Sequence, residues 1–392
     1  MVMLIAIDNG YQACIMAPTE ILAQQHFKTM SQELKSLNIK IDILTGSKKS
    51  KARKVLLEEL KNGDINLLIG THALLEDTVE FSNLGFVVID EQHRFGVAQR
   101  AKLWKKNKYP PHILVMTATP IPRTLSMTLY GDLDVSVIDE LPPGRKEIKT
   151  LWKSDSSRLN IIRFMHEQIK EGRQVYIVFP LIDESAKLDY KNLIEGFDSI
   201  VREFPLPDFQ VSVVHGQMKS ADKEYEMQRF VEGKTDILVA TTVIEVGVNV
   251  PNASVMVIES AERFGLSQLH QLRGRVGRGA NQSYCVLMSG HKVSVDGKTR
   301  LQTMVDTNDG FKLAEVDLKL RGPGDMMGTK QSGLLNFKIA DLIKDNKILI
   351  FAREQAQILL EDDFDLSKSE NINIARFYRP YARERMGWSR IS

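Results

Sequence analysis

A run of apolar residues, FVVI at 86–89, ends on two adjacent acids, Asp90 and Glu91. A carboxylate beside a buried strand is costly unless it is paired or holds a cation. At the carboxyl end of a parallel strand, an aspartate can hold Mg²⁺ through water, and the next glutamate can align an attacking water for phosphoryl transfer. Taken alone, the pair also fits a helix N-cap or a solvated turn. The neighbouring motifs therefore decide what the acids do.

Two further groups accompany these acids. The segment MTATPIPRTL at 116–125 ends another predicted strand on hydroxyl side chains, and HQLRGRVGRG at 270–279 contains Arg273, Arg275 and Arg278. Arginine forks bind phosphate oxygens bidentately, and glycine lets the backbone come close to a ligand. A solvated basic loop is the alternative for the arginine segment. The three groups together predict a site that handles phosphates.

Two series of strand-like segments must position these groups, one between residues 13 and 119 and one between residues 174 and 288. Helical patterns separate the segments, which is typical of a parallel sheet with helices on both faces. A Pro-Gly break at 139–147 predicts a linker between the series. Beyond the second series, residues 299–322 predict a helical hairpin, and a Gly-rich loop follows at 322–333.

Composition limits the possible classes of function. The net charge is only +2, so a nucleic-acid site must come from local clustering of cations. No apolar run approaches membrane-spanning length, and the first residues do not form a signal peptide. Cys14 and Cys285 lie in apolar runs and predict buried thiols in a reducing compartment. We therefore expect a cytoplasmic α/β protein that does not enter a membrane.

The order of the motifs resembles the superfamily 2 helicases and translocases: APTEILAQQ, GTHALL, DEQH, TATP, VATTVIEVGVNVP and QLRGRVGRG. Two longer segments, DEQHRFGVAQR and DLKLRGPGDMMGTKQSG, closely resemble the RecG family of bacterial fork-remodelling DNA helicases. The resemblance covers residues 10–360. The coupling factor Mfd shares the hairpin and the Gly-rich loop, but the histidine of DEQH favours the RecG family.

This resemblance implies two tandem RecA-like domains that use ATP and Mg²⁺ to move on double-stranded DNA. It makes Asp90 the acid that holds Mg²⁺ through water and Glu91 the catalytic carboxylate. It makes Arg275 and Arg278 arginine fingers, and Gln271 a sensor of the γ-phosphate.

Other residues are assigned by the same resemblance. Gly247 would approach the nucleotide closely. The residues implied to contact DNA, or to couple the nucleotide state to domain movement, are Pro18, Thr19, His72, Thr117, Thr119, Thr241, Thr242, Arg321 and Gln331.

The resemblance also implies domain bounds and partners. We expect an incomplete first RecA-like domain at 1–143, a second at 144–292, a translocation hairpin and loop at 293–335, and a C-terminal helical segment and tail at 336–392. The implied partners are replication forks and Holliday junctions, with single-strand DNA-binding protein as a further candidate. A monomer is expected.

One expected motif, the phosphate loop G-x-x-x-x-G-K-[ST], does not occur in the sequence. The nearest candidates have Gln228 or Lys292 where the first glycine should stand. The opening MVMLIAIDNG is typical of a helix end closed by Gly10. We therefore expect the chain to start just after the phosphate loop, without the leading strand and the N-terminal wedge domain. We also expect the basic, aromatic end at 374–392 to depart from the family.

Two alternatives to a RecG-type motor remain open. The first is an Mfd-like motor that couples transcription to repair and binds RNA polymerase. The second is a DNA-binding module that works without nucleotide. An RNA polymerase pull-down tests the first, and an ATPase assay with forked DNA tests the second.

We predict that the 392-residue chain hydrolyses ATP very slowly or not at all. The physical reason is that phosphoryl transfer depends on positioning and on charge stabilisation, both of which a phosphate loop provides. The measurement is phosphate release with and without forked DNA. DNA-stimulated turnover as fast as that of a RecG helicase would contradict the prediction.

Overall fold

The computed structural model describes residues 1–46, 48–92, 95, 102–103, 106–107, 109–118, 134–138, 140–180, 186–241, 250–321 and 345–389. These residues form two compact units. One unit holds the described residues of 1–117, 121–136 and 321–392, and the other holds those of 118–120 and 137–320. The domain bounds expected from the sequence remain predictions.

The first unit contains a five-stranded sheet in the order β2-β3-β1-β4-β5. Every neighbouring pair of strands is parallel, as predicted. The strands are β1 Gln12–Met16, β2 Ile41–Leu44, β3 Leu67–Gly70, β4 Leu84–Ile89 and β5 His112–Val115, and the helices around them are α1 Val2–Asp8, α2 Glu20–Glu33 and α3 Ser50–Asn62.

The centre of this sheet is buried on both faces. All five residues of β1 are buried, and because side chains alternate along a strand, they enter two different apolar clusters. Leu56 and Leu60 of α3 pack in the cluster that contains Cys14. Leu22 of α2 packs in the cluster that contains Ile15. The two helices therefore cover opposite faces, which explains the continuous apolar run of β1.

The second unit contains a six-stranded parallel sheet in the order β6-β11-β10-β7-β9-β8. Its strands are β6 Lys149–Ser154, β7 Gln174–Val178, β8 Val211–Val214, β9 Ile237–Ala240, β10 Ala253–Ile258 and β11 Tyr284–Ser289. The helices associated with it are α4 Arg158–Lys170, α5 Ala186–Glu203, α6 Ser220–Val231 and α7 Leu266–Arg273.

The sequence pattern predicted every strand of this sheet except β6. In β6 the residue that is buried is Thr150, whereas Leu151 is 40% exposed, so the apolar alternation that marks a half-buried strand is missing. The strand forms because it pairs with β11 along its whole length. The Trp152 indole also donates a hydrogen bond to Ser289 Oγ at 2.8 Å. Tertiary pairing thus outweighs a weak local preference.

Within the described residues, four more α-helices follow the strands. Helices α8 Val295–Asp306 and α9 Gly310–Arg321 lie where the sequence predicts the two helices of a hairpin, and α10 Asn346–Asp362 and α11 Ile372–Ser389 lie further along the chain. Ser294 caps α8 by accepting a hydrogen bond from the Gly297 N–H at 3.1 Å. Among the described helices, none combines the length and the apolar character that crossing a membrane requires.

The two cysteines confirm the expectation of buried thiols. Cys14 in β1 and Cys285 in β11 are both fully buried and free. Burial raises the pKa of each thiol to about 12, because the apolar core disfavours the thiolate. Both groups are therefore neutral packing residues at physiological pH.

We predict that Gly70→Ala lowers the free energy of unfolding by about 1–3 kcal/mol, the range for overpacking a tight site. A Cβ atom at Gly70 would lie 2.5 Å from the Leu44 carbonyl oxygen, which belongs to the neighbouring strand β2. Gly290→Ala is the control, because the nearest atom to its Cβ would be 3.8 Å away. The measurement is chemical unfolding followed by circular dichroism. Equal midpoints for the two variants would show that β2 and β3 can separate without cost.

Candidate functional site

The carboxyl ends of all five strands in the first sheet lie at one edge, because the strands are parallel. Strand order decides which predicted residues are neighbours along this edge. The ends of β3 and β1 lie on one side of β4, and the end of β5 lies on the other. The residues that the edge brings together are His72 after β3, Pro18 and Thr19 after β1, Asp90 and Glu91 after β4, and Thr117 after β5.

Asp90 is held at three points. Its N–H donates to the Met16 carbonyl of β1 at 2.9 Å. Its Oδ1 accepts the Glu91 N–H at 2.9 Å, and its Oδ2 lies 2.9 Å from Nε2 of His26 in α2. The side chain is 19% exposed, so one face of the carboxylate still reaches solvent. The backbone and the helix thus fix this acid toward the edge.

These contacts leave room for a metal-bound water. Each carboxylate oxygen has two lone pairs, and these two hydrogen bonds use one lone pair on each oxygen of Asp90. Mg²⁺ prefers oxygen ligands and is often held by only one or two carboxylates together with phosphates and water. No group of three His, Cys, Asp or Glu side chains placed to hold a metal occurs among the described residues.

Glu91 has a strained backbone. Its φ is +51°, in the left-handed region that non-glycine residues seldom occupy. The next residue, Gln92, donates its N–H to the Met116 carbonyl at 3.0 Å, just beyond β5. The turn is therefore held between the exits of β4 and β5. Strain of this kind costs about 1–3 kcal/mol and persists where the surrounding structure imposes it, often at active sites.

The predicted arginine fingers lie after α7 in the second unit. Arg275 is only 6% exposed, and Arg278 is half-buried. Burial raises the pKa of Tyr176 in β7, and the positive charges of Arg278 and Arg275 oppose that shift. Both guanidinium groups therefore lie close enough to act on the same buried phenol. Gln271, on α7 itself, is half-buried.

The turn between the two fingers has its own support. Gly277 has a φ of +78°, and a Cβ there would lie 2.9 Å from Ile148. The Gly277 carbonyl accepts a hydrogen bond from Arg145 Nε at 2.8 Å. Glycine is needed here both for its conformation and for the close approach. No motif in the sequence marks Arg145 as a partner of Gly277, which lies 132 residues away in the chain.

Arg273 differs from its two neighbours. Its side chain is 2% exposed and donates to the carbonyls of Met304 and Thr307, each at 2.9 Å. It also lies 3.1 Å from Nδ1 of His270. The interpretation of Arg273 as part of a phosphate-binding cluster is therefore wrong. Its guanidinium instead joins the end of α7 to the end of α8.

The second unit also has an acid directly after a parallel strand, but this acid has a different partner. Glu259 follows β10 as Asp90 follows β4, and Ser260 has a φ of +46° where Glu91 has +51°. Yet Glu259 accepts two hydrogen bonds from Arg158, both at 2.8 Å, and is 6% exposed. This bidentate pair occupies the carboxylate. The first unit alone presents an available acid at this position among the described residues.

The remaining predicted residues are only partly described. Thr241 follows β9 and is 3% exposed, and within the described part of the chain its hydroxyl has no hydrogen-bond partner. Arg321 is the last residue of α9. The predicted residues that lie outside the described ranges are Thr119, Thr242, Gly247 and Gln331.

Three family models match successive parts of the chain. A DEAD/DEAH box helicase model matches residues 1–128, and a helicase conserved C-terminal domain matches residues 158–280. The model described as ATP-dependent DNA helicase RecG, domain 3, C-terminal, matches residues 307–392. The expectation that residues 374–392 depart from the family is therefore wrong.

Curated relatives named ATP-dependent DNA helicase RecG are similar over most of the chain. The protein of Synechocystis sp. is 52% identical over 371 residues, which are 95% of this chain and 44% of the relative. The protein of Bacillus subtilis is 51% identical over 358 residues, which are 91% of this chain and 52% of the relative. The chain thus spans about half the length of these relatives.

Solved structures support the same grouping. A structure of RecG bound to a three-way DNA junction matches with a TM-score of 0.70 and 44% identity, and the match covers 89% of this chain and 45% of that chain. A single-substitution variant of yeast Dbp5 bound to RNA and ADP BeF3 matches with a TM-score of 0.56 and 17% identity, covering 81% of this chain and 84% of that chain. The second match shows the fold alone.

We predict that His270 makes the second unit less stable in acid. Burial, with the nearby charge of Arg273, lowers the pKa of His270 to about 4, against about 6.5 in an unfolded chain. Because the unfolded state binds the proton first, stability is lost as the pH falls through this window. From pH 7.5 to 4.5 the loss should be about 2–3 kcal/mol.

His270→Gln should remove most of this pH dependence, since glutamine can accept a hydrogen bond but does not titrate. His112→Gln is the matched control, because His112 is exposed in β5 of the other unit. The measurement is urea unfolding at both pH values. An unchanged pH dependence in His270→Gln would assign the acid sensitivity to other groups.

Proposed function

Because the chain belongs to the RecG family of helicases, we propose that it forms the motor part of an ATP-dependent double-strand DNA translocase that remodels stalled forks and Holliday junctions. The observation that carries the proposal is the exit of β4. There, Asp90 is fixed by hydrogen bonds to β1 and α2, and Glu91 follows it in a strained turn.

The acids would divide the chemistry between them. Bound Mg²⁺ would neutralise charge on the phosphate oxygens. Asp90, oriented by His26, would accept hydrogen bonds from water on that ion. Glu91 would hold the attacking water and take its proton, which is the role of a positioned base. The strained turn would keep the two carboxylates in different directions, so that one acid does not replace the other.

The residues of the second unit would supply positive charge and sense the nucleotide. Arg275 and Arg278 are proposed as arginine fingers, which stabilise charge on phosphate oxygens in the transition state. The buried position of Arg275 supports this role, because a guanidinium in a poorly hydrated place interacts more strongly with an anion. Gln271 and Gly247 are proposed to contact the nucleotide.

The DNA would lie along the side of the first-sheet edge where β3 and β1 end. Pro18, Thr19 and His72 occupy those ends, and His72 is exposed. The residues proposed to couple nucleotide state to DNA movement are Thr117, Thr119, Thr241, Thr242, Arg321 and Gln331. The match of the RecG domain 3 model to residues 307–392 favours a RecG-type motor over the Mfd-like alternative.

We predict that Glu91→Gln lowers ATP hydrolysis by about 100-fold or more, as expected for the loss of a positioned base. The test protein joins the upstream half of the Bacillus subtilis relative to this chain. The readouts are DNA-stimulated phosphate release and branch movement on a fork. DNA affinity without nucleotide should not change, because Glu91 lies beside β4 and not at the ends of β3 or β1.

Glu33→Gln is the control, since Glu33 is an exposed acid at the end of α2. It should keep full hydrolysis. If Glu91→Gln hydrolyses ATP as fast as this control, Glu91 is not the catalytic carboxylate. A control protein that binds forks but never hydrolyses ATP would instead support the nucleotide-independent DNA-binding module.

A further inference from the structure

A cluster of cations opens helix α3, beside the candidate site. The seven residues at 48–54 contain no acid, although the whole chain carries a net charge of only +2. Such clustering is the local asymmetry that a nucleic-acid contact needs in a nearly neutral protein. The cations are Lys48, Lys49, Lys51, Arg53 and Lys54.

Two of these cations are used by the fold. Lys48 Nζ donates to Asp42 Oδ1 at 2.8 Å and to the Ile43 carbonyl at 2.9 Å. Arg53 forms an ion pair with Glu76. These contacts anchor the start of α3 to β2 and to the segment after β3. They fix where the other three cations lie.

The other three, named here the α3 lysines, are Lys49, Lys51 and Lys54. All three are exposed, and within the described part of the chain none of them has an ion pair or a side-chain hydrogen bond. Because α3 packs into the core through Leu56 and Leu60, its exposed face is held in one orientation. The α3 lysines therefore form a positioned and unpaired positive surface.

The position of the α3 lysines is unfavourable for the isolated fold. Cations near a helix N-terminus oppose the helix dipole, and acids are preferred there. The first turn of α3 has no acid, and the N-cap residue Lys49 makes no capping hydrogen bond with its side chain. An anion bound beside these lysines would relieve that repulsion.

The patch continues the edge described above. Helix α3 follows β2, whose last residue Leu44 pairs with Gly70 of β3, and Gly70 in turn pairs with Met16 of β1. The ends of β2, β3 and β1 therefore succeed one another along one edge. The α3 lysines extend the side of the edge that carries His72 and Thr19, away from Asp90.

We propose that Lys49, Lys51 and Lys54 contact the phosphate backbone of double-stranded DNA. That the bound polymer is DNA rests on the proposed function. That it contacts the α3 lysines rests on their charges and on their position at the sheet edge. Single-stranded binding surfaces combine cations with aromatic side chains that stack on bases. Residues 46–62 contain no aromatic residue, which favours a duplex partner held by its backbone.

The test is the salt dependence of duplex binding by the 392-residue chain without nucleotide. Each lost phosphate contact should reduce the slope of log K against log[salt] by about 0.9, so the triple variant Lys49→Gln, Lys51→Gln, Lys54→Gln should lose roughly 3 units of slope. Between 50 and 200 mM salt, its affinity should then vary about 40-fold less than that of the unaltered chain. The probe is a 30-base-pair duplex of arbitrary sequence.

The matched control removes three exposed lysines elsewhere: Lys28→Gln, Lys35→Gln and Lys170→Gln. This variant has the same net charge as the first, so an equal loss of slope in both would overturn the proposal. So would a loss confined to a single-stranded 30-mer. If the triple variant does not fold, Lys51→Gln alone tests the proposal. It should reduce the slope of log K against log[salt] by about 1 unit, and an unchanged slope would contradict the contact.

Failure of this inference is distinct from failure of the proposed function. One outcome would contradict only the DNA contact. In it, the control variant binds duplex, the fusion with the upstream half of the Bacillus subtilis relative moves forks, and the triple variant of the α3 lysines keeps the salt slope of the unaltered chain. A second outcome would contradict only the motor assignment. In it, the triple variant of the α3 lysines has a smaller salt slope, but the fusion with the upstream half of the Bacillus subtilis relative never hydrolyses ATP.

Discussion

The parallel pairing of β1 with β3 and β4 is the constraint on which the first unit depends. β1 is buried along its whole length, so its position cannot shift without disturbing both apolar clusters. The pairing brings the ends of three strands to one edge, and the Asp90 N–H completes it by donating to the Met16 carbonyl. The acid is therefore positioned by the core, and not by the loop in which it lies.

The same position, directly after a parallel strand, holds acids with different chemical surroundings in the two units. After β4 the carboxylate meets a histidine at a single oxygen, and after β10 it meets a bidentate arginine. A partly solvated acid with one histidine partner can still accept hydrogen bonds from water, whereas a buried acid matched to a guanidinium fork cannot readily do so. The chemical difference between Asp90 and Glu259 thus comes from their partners and not from the fold.

Much of the fold follows from the sequence pattern, because ten of the eleven strands in the described residues lie in apolar-rich segments that the sequence predicts as strands, with helical patterns between them. The sequence pattern did not predict strand β6, because pairing with β11, and not its own apolar pattern, makes it a strand. Asp90 could be placed from the sequence, since it directly ends such a run. His26 could not, because it is 64 residues away in the chain and only the packing of α2 brings it to 2.9 Å. The same limit applies to Arg273, whose partners in α8 distinguish it from Arg275.

A strained backbone angle indicates function only when the surrounding structure also indicates it. Glu91 and Leu366 have almost the same φ, +51° and +50°, so strain alone does not separate them. Leu366 lies in a loop where Asp363 accepts the N–H groups of Ser367 and Lys368, which explains its conformation by a local turn. Glu91 instead lies between the exits of two parallel strands, at the edge where such sheets bind ligands. Strain thus supports a functional role where the fold independently directs the residue toward a site.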